Sequence, residues 1–236
     1  MKKLAVAALG IAVTGVAAVA APSGAQDPPV TTVTAEAHVT PDKPGTKKQP
    51  RGVKLKVDVR WDTPGDVEKP VVQRATVMFP KGSKYNGGKF PKCSANTMAR
   101  KGINGCPKGS IMGKGSGKAM ADDVPTYPRI TIVNGGAKRV YFYTVMTNPA
   151  RVQAPVVGKI TKVGGRYSYK LQAQIPKSLQ IVAGVPIVLH ELTLSGGKGD
   201  WLATTSCPAD KRWRYHAEGL FTTGETIVYD DSVPCR

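Results

Sequence analysis

Apolar and polar residues alternate most cleanly between positions 53 and 61. Val53, Leu55, Val57, Val59 and Trp61 point one way, and Lys54, Lys56, Asp58 and Arg60 point the other. A period of two is the signature of a strand with one core face and one wet face. A shorter alternation runs over 32–38, and an insert rich in Pro, Gly and Lys at 41–50 separates the two. Further strand-like runs occupy 71–79, 110–120, 129–133, 139–147, 156–163, 166–175, 186–194, 211–221 and 225–233. Asn134-Gly135 and Gly164-Gly165 lie between such runs, where hairpin turns needing positive φ are expected. Only 94–101 reads as helix, with Ser94 as its cap and Ala95, Met98 and Ala99 at helical spacing.

About ten strands at intervals of roughly 10 to 15 residues, with almost no helix, predict an all-β fold. The expected architecture is a two-sheet antiparallel sandwich of immunoglobulin-like or jelly-roll type, with one short helix in a disulfide loop. A closed barrel is the rival arrangement, and sequence does not separate the two.

The first residues change the picture by placing the chain outside the cytoplasm. Lys2 and Lys3 precede an alanine-rich apolar stretch at 4–19, followed by small residues and Pro22, the order of a secretory signal peptide. A retained anchor needs about 20 apolar residues, and Gly10 and Gly15 punctuate this shorter stretch. Cleavage fits after Ala20 and better after Ala25, giving a signal peptide at 1–25, a flexible leader at 26–30 around Pro28-Pro29, and one domain at 31–236. Roughly 210 residues suffice for a single large core. No cysteine stands near either cleavage site and the closing Pro234-Cys235-Arg236 carries no sorting signal. The expectation is a secreted protein, free or held non-covalently at the cell wall, with no transmembrane segment after processing.

Cys93, Cys106, Cys207 and Cys235 form an even set in an exported chain, which reads as two disulfides. Four cysteines permit three pairings. Proximity in sequence favours Cys93 with Cys106 and Cys207 with Cys235, each worth about 3 kcal/mol through restriction of the unfolded chain. Zinc would want Cys-x-x-Cys or Cys/His spacings, which do not occur, and no cofactor or metal is expected.

Lys and Arg number 34 against 16 Asp and Glu, a net charge of +18. Such a surplus draws a protein toward polyanions. Outside the cytoplasm these are anionic cell-wall polymer and the membrane surface, so no dedicated nucleic-acid partner is expected. The cations are scattered along the chain, which suits a solvated basic surface as well as it suits a designed one.

The run Gly109-Ser-Ile-Met-Gly-Lys-Gly-Ser-Gly-Lys-Ala119 invites a phosphate-loop reading but lacks the Walker spacing, because Gly117-Lys118 is followed by Ala119 and preceded five residues earlier by Met112. As a strand it places Gly113, Gly115 and Gly117 on one face with Ile111 and Ala119, leaving room for an aromatic cover or another backbone. His38, His190 and His216 lie on separate strands, and His-Glu-Leu-Thr-Leu from His190 lacks the second histidine of a zinc protease. No Gly-x-Ser-x-Gly elbow occurs. Asp122-Asp123 and Asp230-Asp231 are adjacent pairs whose carboxylates diverge on a strand, whereas a glycosidase pair must converge on one bond. Asp122-Asp123 is a weak calcium-loop candidate, and edge protection is the simpler role. No catalytic residue is therefore assigned. The best candidate for function is an outward basic stripe, Lys54, Lys56 and Arg60 on one strand with Arg212, Arg214 and His216 on another, which makes a polyanion-binding face only if both strands share a sheet.

Three stretches together are distinctive: Val39-Thr-Pro with Gly45-Thr-Lys-Lys and Pro50-Arg-Gly-Val-Lys-Leu; Phe90-Pro-Lys-Cys-Ser-Ala through Gly105-Cys-Pro-Lys-Gly-Ser to Gly113-Lys-Gly-Ser-Gly-Lys-Ala; and Cys207-Pro with Trp213 and Val233-Pro-Cys235. In these the chain resembles a family of uncharacterised secreted proteins found widely in high-GC Gram-positive bacteria. The resemblance implies export, an all-β fold and the pairing of neighbouring cysteines, and it carries over no catalytic or ligand-binding residue. The resulting expectation is a non-catalytic secreted protein that binds anionic cell-envelope material through a basic surface. The rival is a secreted hydrolase or carbohydrate-active enzyme with a site built from distant loops, for which a deep cleft bearing His216, Glu218 or Asp231 would speak.

Overall fold

A computed structural model describes residues 31–63 and 70–236. The signal peptide and leader expected over 1–30 lie outside the described residues. Sixteen strands follow in order: β1 (Thr32–Thr40), β2 (Arg51–Gly52), β3 (Lys54–Asp62), β4 (Val72–Pro80), β5 (Ser83–Tyr85), β6 (Ile111–Ala121), β7 (Val124–Thr126), β8 (Arg129–Asn134), β9 (Arg139–Met146), β10 (Val152–Lys162), β11 (Tyr167–Gln174), β12 (Ile181–Val182), β13 (Val185–Gly196), β14 (Leu202–Thr204), β15 (Arg212–Phe221) and β16 (Thr226–Pro234). Two short helices, α1 (Ala95–Lys101) and α2 (Lys177–Gln180), interrupt them. Every strand longer than three residues was anticipated by its pattern. The start of β10 was read four residues late, because Pro155 looks like a breaker although it pairs with Tyr143 inside the strand.

The fold is all-β and antiparallel, but it is not a sandwich of two packed sheets. Eleven strands join in one continuous sheet in the order β1-β3-β13-β6-β8-β9-β10-β11-β4-β15-β16, and the sheet curls until its two edges meet. At this seam the Tyr229 hydroxyl of β16 donates to the Ala35 carbonyl of β1 at 2.7 Å, and the Arg236 amide donates to the Asp42 carbonyl at 3.0 Å. The result is a nearly closed barrel. Sequence periodicity is the same for a curled sheet and a folded-over one, so the distinction rests on which distant strands are neighbours.

Cross-strand register defines the two faces. Ala37 pairs with Val57, Val57 with Leu194, Leu194 with Gly115, Gly115 with Ile130, Ile130 with Thr144 and Thr144 with Ala154. Further round, Gly158 pairs with Ala173, Ala173 with Ala75, Ala75 with Gly219 and Gly219 with Ile227. Paired residues share a face, so this apolar ring is the inner wall, and most of the intervening Lys, Arg, Glu and Asp face outward, Asp231 being an exception near the lower end.

Both ends of the barrel carry plugs. At the upper end, where β1 begins, Leu179 of α2 and Val182 of β12 pack on Ala119, Ala121, Met146, Val156, Ala173 and Ile187. At the lower end a three-stranded sheet, β2-β14-β5, brings Trp201 and Tyr85 against Met112, Ile132, Val140 and Leu194. The disulfide Cys93–Cys106 closes a lobe on the outer face, where Met98 of α1 packs on Val133, Tyr141 and Tyr143. The Ser94 side chain accepts from the Thr97 amide at 3.0 Å, the cap its position suggested. The second disulfide, Cys207–Cys235, lies beside Trp213 and Val233 at the lower end. Both pairings are those that proximity favoured.

Two local readings need correction. The β8–β9 turn closes one residue later than Asn134-Gly135 implied: the Gly135 amide donates to the Arg139 carbonyl at 3.0 Å and the positive φ of 99° falls on Gly136. Asn134 is instead fully buried as a hydrogen-bonding hub. The two N–H groups of its Nδ2 are shared among the carbonyls of Gly87, Phe90 and Pro91, and its Oδ1 accepts from Tyr85, Trp201 and the Gly136 amide. In β6 a register shift between Ile111 and Gly113 turns Ile111 to the outer face, so the glycines share the inner face with Ala119 but not with Ile111. A Cβ on Gly113 would run into the Ser195 carbonyl, and one on Gly115 would stand 2.5 Å from the Thr193 oxygen. The glycine row admits the backbone of β13, as the strand reading required. The Gly164-Gly165 turn forms as expected, with Gly165 at φ 72°.

Candidate functional site: a cationic cleft at the lower end

Three turns converge beneath β4, β11 and β15. The Lys81 amide donates to the Arg166 carbonyl at 3.1 Å, and the Thr205 amide donates to the Gly82 carbonyl at 2.8 Å, so the β4–β5 turn, the β10–β11 turn and the segment before β15 are laced through backbone. They line a cleft of about 460 Å³ whose charged residues are Lys81, Arg166, Arg212, Arg214 and Asp210. All five side chains belong to exposed residues. Arg214 holds Asp210 through both Nε and a terminal nitrogen at 3.0 Å, and Arg212 Nε donates to the Ser232 hydroxyl at 2.7 Å. Among the described residues neither Lys81 nor Arg166 lies within ion-pair distance of a carboxylate. A surplus of cations around one committed carboxylate suits a polyanion.

Arg212 and Arg214 were legible from the alternation of β15. Lys81 and Arg166 were not, because each is a single cation in a turn more than forty residues from the others. The remaining stripe residues, Lys54, Lys56 and Arg60, do face outward from β3 and do share the sheet with β15. The short way round between them crosses β1 and β16, however, where Glu36 and Asp230 face outward. Lys56 is bound to Asp58 at 2.8 Å, and Arg60 stands opposite Glu191 in the strand register. The Lys56 hydrogen bond, aided by the Thr193 hydroxyl, holds the Asp58 carboxyl below its ordinary range. The two rows therefore sit on one sheet without forming one continuous cationic face. A second depression of about 480 Å³ near the upper end is lined by Arg60, Lys118, Asp62 and Glu191, a balanced set.

His216, on the outer face of β15, is clamped on both sides. Its Nε2 lies 3.1 Å from Glu218 Oε1 and its Nδ1 lies 2.9 Å from Asp230 Oδ1. Glu218 does most to raise the imidazole above its ordinary 6.5, Asp230 assists and partial burial opposes. With both ring nitrogens facing carboxylates, this histidine is arranged to hold a proton rather than to accept one from a nucleophile. Asp231 points to the opposite face, where the Tyr215 hydroxyl donates to it at 3.3 Å. Burial, reinforced by that negative charge, pushes the Tyr215 phenol up.

A titration checks the clamp. The His216 ring resonances should report a pKa above 6.5, and Glu218→Gln should bring it down. A group whose folded pKa is raised contributes stability that is complete below its unfolded value and lost as pH rises through the folded value. The advantage of the parent over Glu218→Gln should therefore be largest near pH 6 and fade above neutrality; equal curves across that window would refute the clamp.

Asp122-Asp123 form the two-residue turn between β6 and β7, with Asp122 at φ 48°. Among the described residues no three His, Cys, Asp or Glu side chains gather as a metal-binding group. No helix among them is long and apolar enough to cross a membrane. No protein-family model matches the chain, and no curated protein matches it.

Proposed function

We propose that the protein is an exported, non-catalytic binder of anionic cell-envelope material, working through the lower cleft. One observation carries this reading: Lys81, Arg166, Arg212 and Arg214 come from separate parts of the chain to surround a single carboxylate that Arg214 already engages. Two disulfides and a net charge of +18 support an oxidising, polyanion-rich setting. Membership of the secreted family from high-GC Gram-positive bacteria belongs to the same proposal and rests on the cysteine-bearing motifs. The hydrolase alternative finds less support, since the histidine nearest to paired acids has both nitrogens engaged.

The test is co-sedimentation of the protein, beginning at Gln26, with isolated cell-wall material at low and high salt. Retention is expected at low salt and should fall as the Debye length shrinks from about 30 Å at 0.01 M to about 3 Å at 1 M. Lys81→Glu with Arg166→Glu should abolish it, whereas Lys54→Glu with Lys56→Glu should leave most of it. No retention by the parent, or equal loss with either pair, would overturn the assignment to the cleft.

A further inference from the structure

Between its two plugs much of the inner wall is only half-covered. On β1 and β3 every inward residue is only half-buried, including Val33, Ala35, Ala37, Val57 and Val59. The same holds for Ala75 and Val77 on β4, Ala217 and Gly219 on β15, and Ile227 and Tyr229 on β16. On β4 the outward Thr76 is more deeply covered than inward Ala75 beside it, the reverse of a packed core. The buried members of the inner wall lie mainly toward the ends, in the clusters around Leu179 and Trp201. The wall itself is built from small side chains, with Gly115, Gly158, Ala173, Ala75, Gly219 and Ala37 in register around it.

Geometry explains why the wall cannot close on itself. Eight strands already give a barrel just wide enough for side chains to fill or for one small ligand, and diameter grows with strand number. In an eleven-stranded barrel the small residues of β1, β4 and β15 do not reach far enough to cover the wall, which stays half-exposed there. Over most of the wall, away from the Tyr215–Asp231 pair at the lower end, water in such a space would face hydrocarbon, and apolar cavities are poor hosts for it. Thr144, Tyr229 and the Tyr215–Asp231 pair are the principal polar interruptions; Tyr229 directs its hydroxyl to the Ala35 carbonyl, and the Tyr215 hydroxyl donates to Asp231 toward the lower end.

We infer that the barrel interior is a binding site for a single unbranched alkyl chain, such as that of a fatty acid or of a single-chain lipid. From Val33 to Val39 the wall runs about 20 Å along the strand, or about 15 Å along the axis at ordinary barrel tilt, a length that takes most of an extended long-chain acyl group. The chain would bury its surface against the small residues of β1, β4 and β15 opposite the larger Leu192, Leu194, Ile130 and Phe142. This site is separate from the cationic cleft and does not depend on it.

The test titrates the protein with cis-parinaric acid, a fluorescent long-chain fatty acid, and then displaces it with palmitate in one arm and lysophosphatidylcholine in another. Saturable one-to-one binding is expected. Displacement by palmitate alone assigns a free acid, and displacement by the lysolipid assigns a lipid-borne chain. Ala35→Phe and Ala75→Phe, on two different walls, should each weaken binding at least roughly tenfold without lowering the melting temperature, because each projects from the half-covered middle of the wall. Lys56→Ala, outward on β3, should bind as the parent does. If one filled variant fails to fold, the other decides. No saturable binding by the parent, or undiminished binding by a folded filled variant, would overturn the inference.

Discussion

Asn134→Ala is expected to lower the unfolding free energy by about 4 kcal/mol and the melting temperature by roughly 10 °C. The side chain is fully buried; its two N–H groups are shared among three carbonyls within 3.2 Å, and its Oδ1 has three donors around it. Alanine leaves three carbonyls and the Trp201 indole N–H without this partner inside the lower plug. A buried group so stranded costs about 1–3 kcal/mol, and water entering the vacated space recovers part of the total. Asn134→Asp separates hydrogen bonding from packing. It keeps the shape and the acceptor, but sets a carboxylate against the carbonyls of Gly87, Phe90 and Pro91. That repulsion raises the folded-state pKa of the new acid, so the variant should be most stable at low pH and lose stability as pH rises past the ordinary carboxylate range. Chemical denaturation at pH 4 and pH 7 checks both substitutions; an alanine variant within about 1 kcal/mol of the parent would mean that the hub is dispensable.

Trp213→Ala should be of comparable size, about 3–5 kcal/mol. Trp213 is 1% exposed and packs with Val233, Cys235, Ala37 and Val39, joining β15 to both sides of the seam. Its indole N–H donates to the Ser206 carbonyl at 3.0 Å. Trp213→Phe keeps most of the packing and loses that bond, so it should cost only about 1–2 kcal/mol. The alanine variant should also speed amide hydrogen exchange in β1 and β16 more than in β8 and β9, because the ring props the seam. Uniform acceleration over the sheet would argue that Trp213 contributes only general core volume.

Much of this fold was readable as pattern. The alternation in β3 assigned its inner and outer residues correctly, and Ser94 announced α1. The short strands β2, β5, β7, β12 and β14 escaped because two or three residues carry no period. They matter out of proportion, since β2, β14 and β5 form the lower plug. Asn134 was misread because Asn-Gly is so strong a turn signal that it hides a buried role. Barrel closure was illegible for a different reason: β13 inserts between β3 and β6, and β4 between β11 and β15, pairings of long sequence separation that leave no local trace. The cleft was half legible for the same reason, with Arg212 and Arg214 found on a strand and Lys81 and Arg166 delivered by turns.

The seam has a consequence for the order of events during folding. Its two sides are the first described strand and the last, and the cysteine that closes the second disulfide, Cys235, follows β16 directly. The chain must therefore be delivered almost to Arg236 before the cylinder can shut. Until then the sheet is an open ribbon with its hydrocarbon face uncovered and two unpaired edges, the state most prone to stick to another copy. Slow, late closure is the kinetic signature to be expected of such long-range pairing. Removing the last nine residues should thus make the protein aggregate, rather than merely less stable.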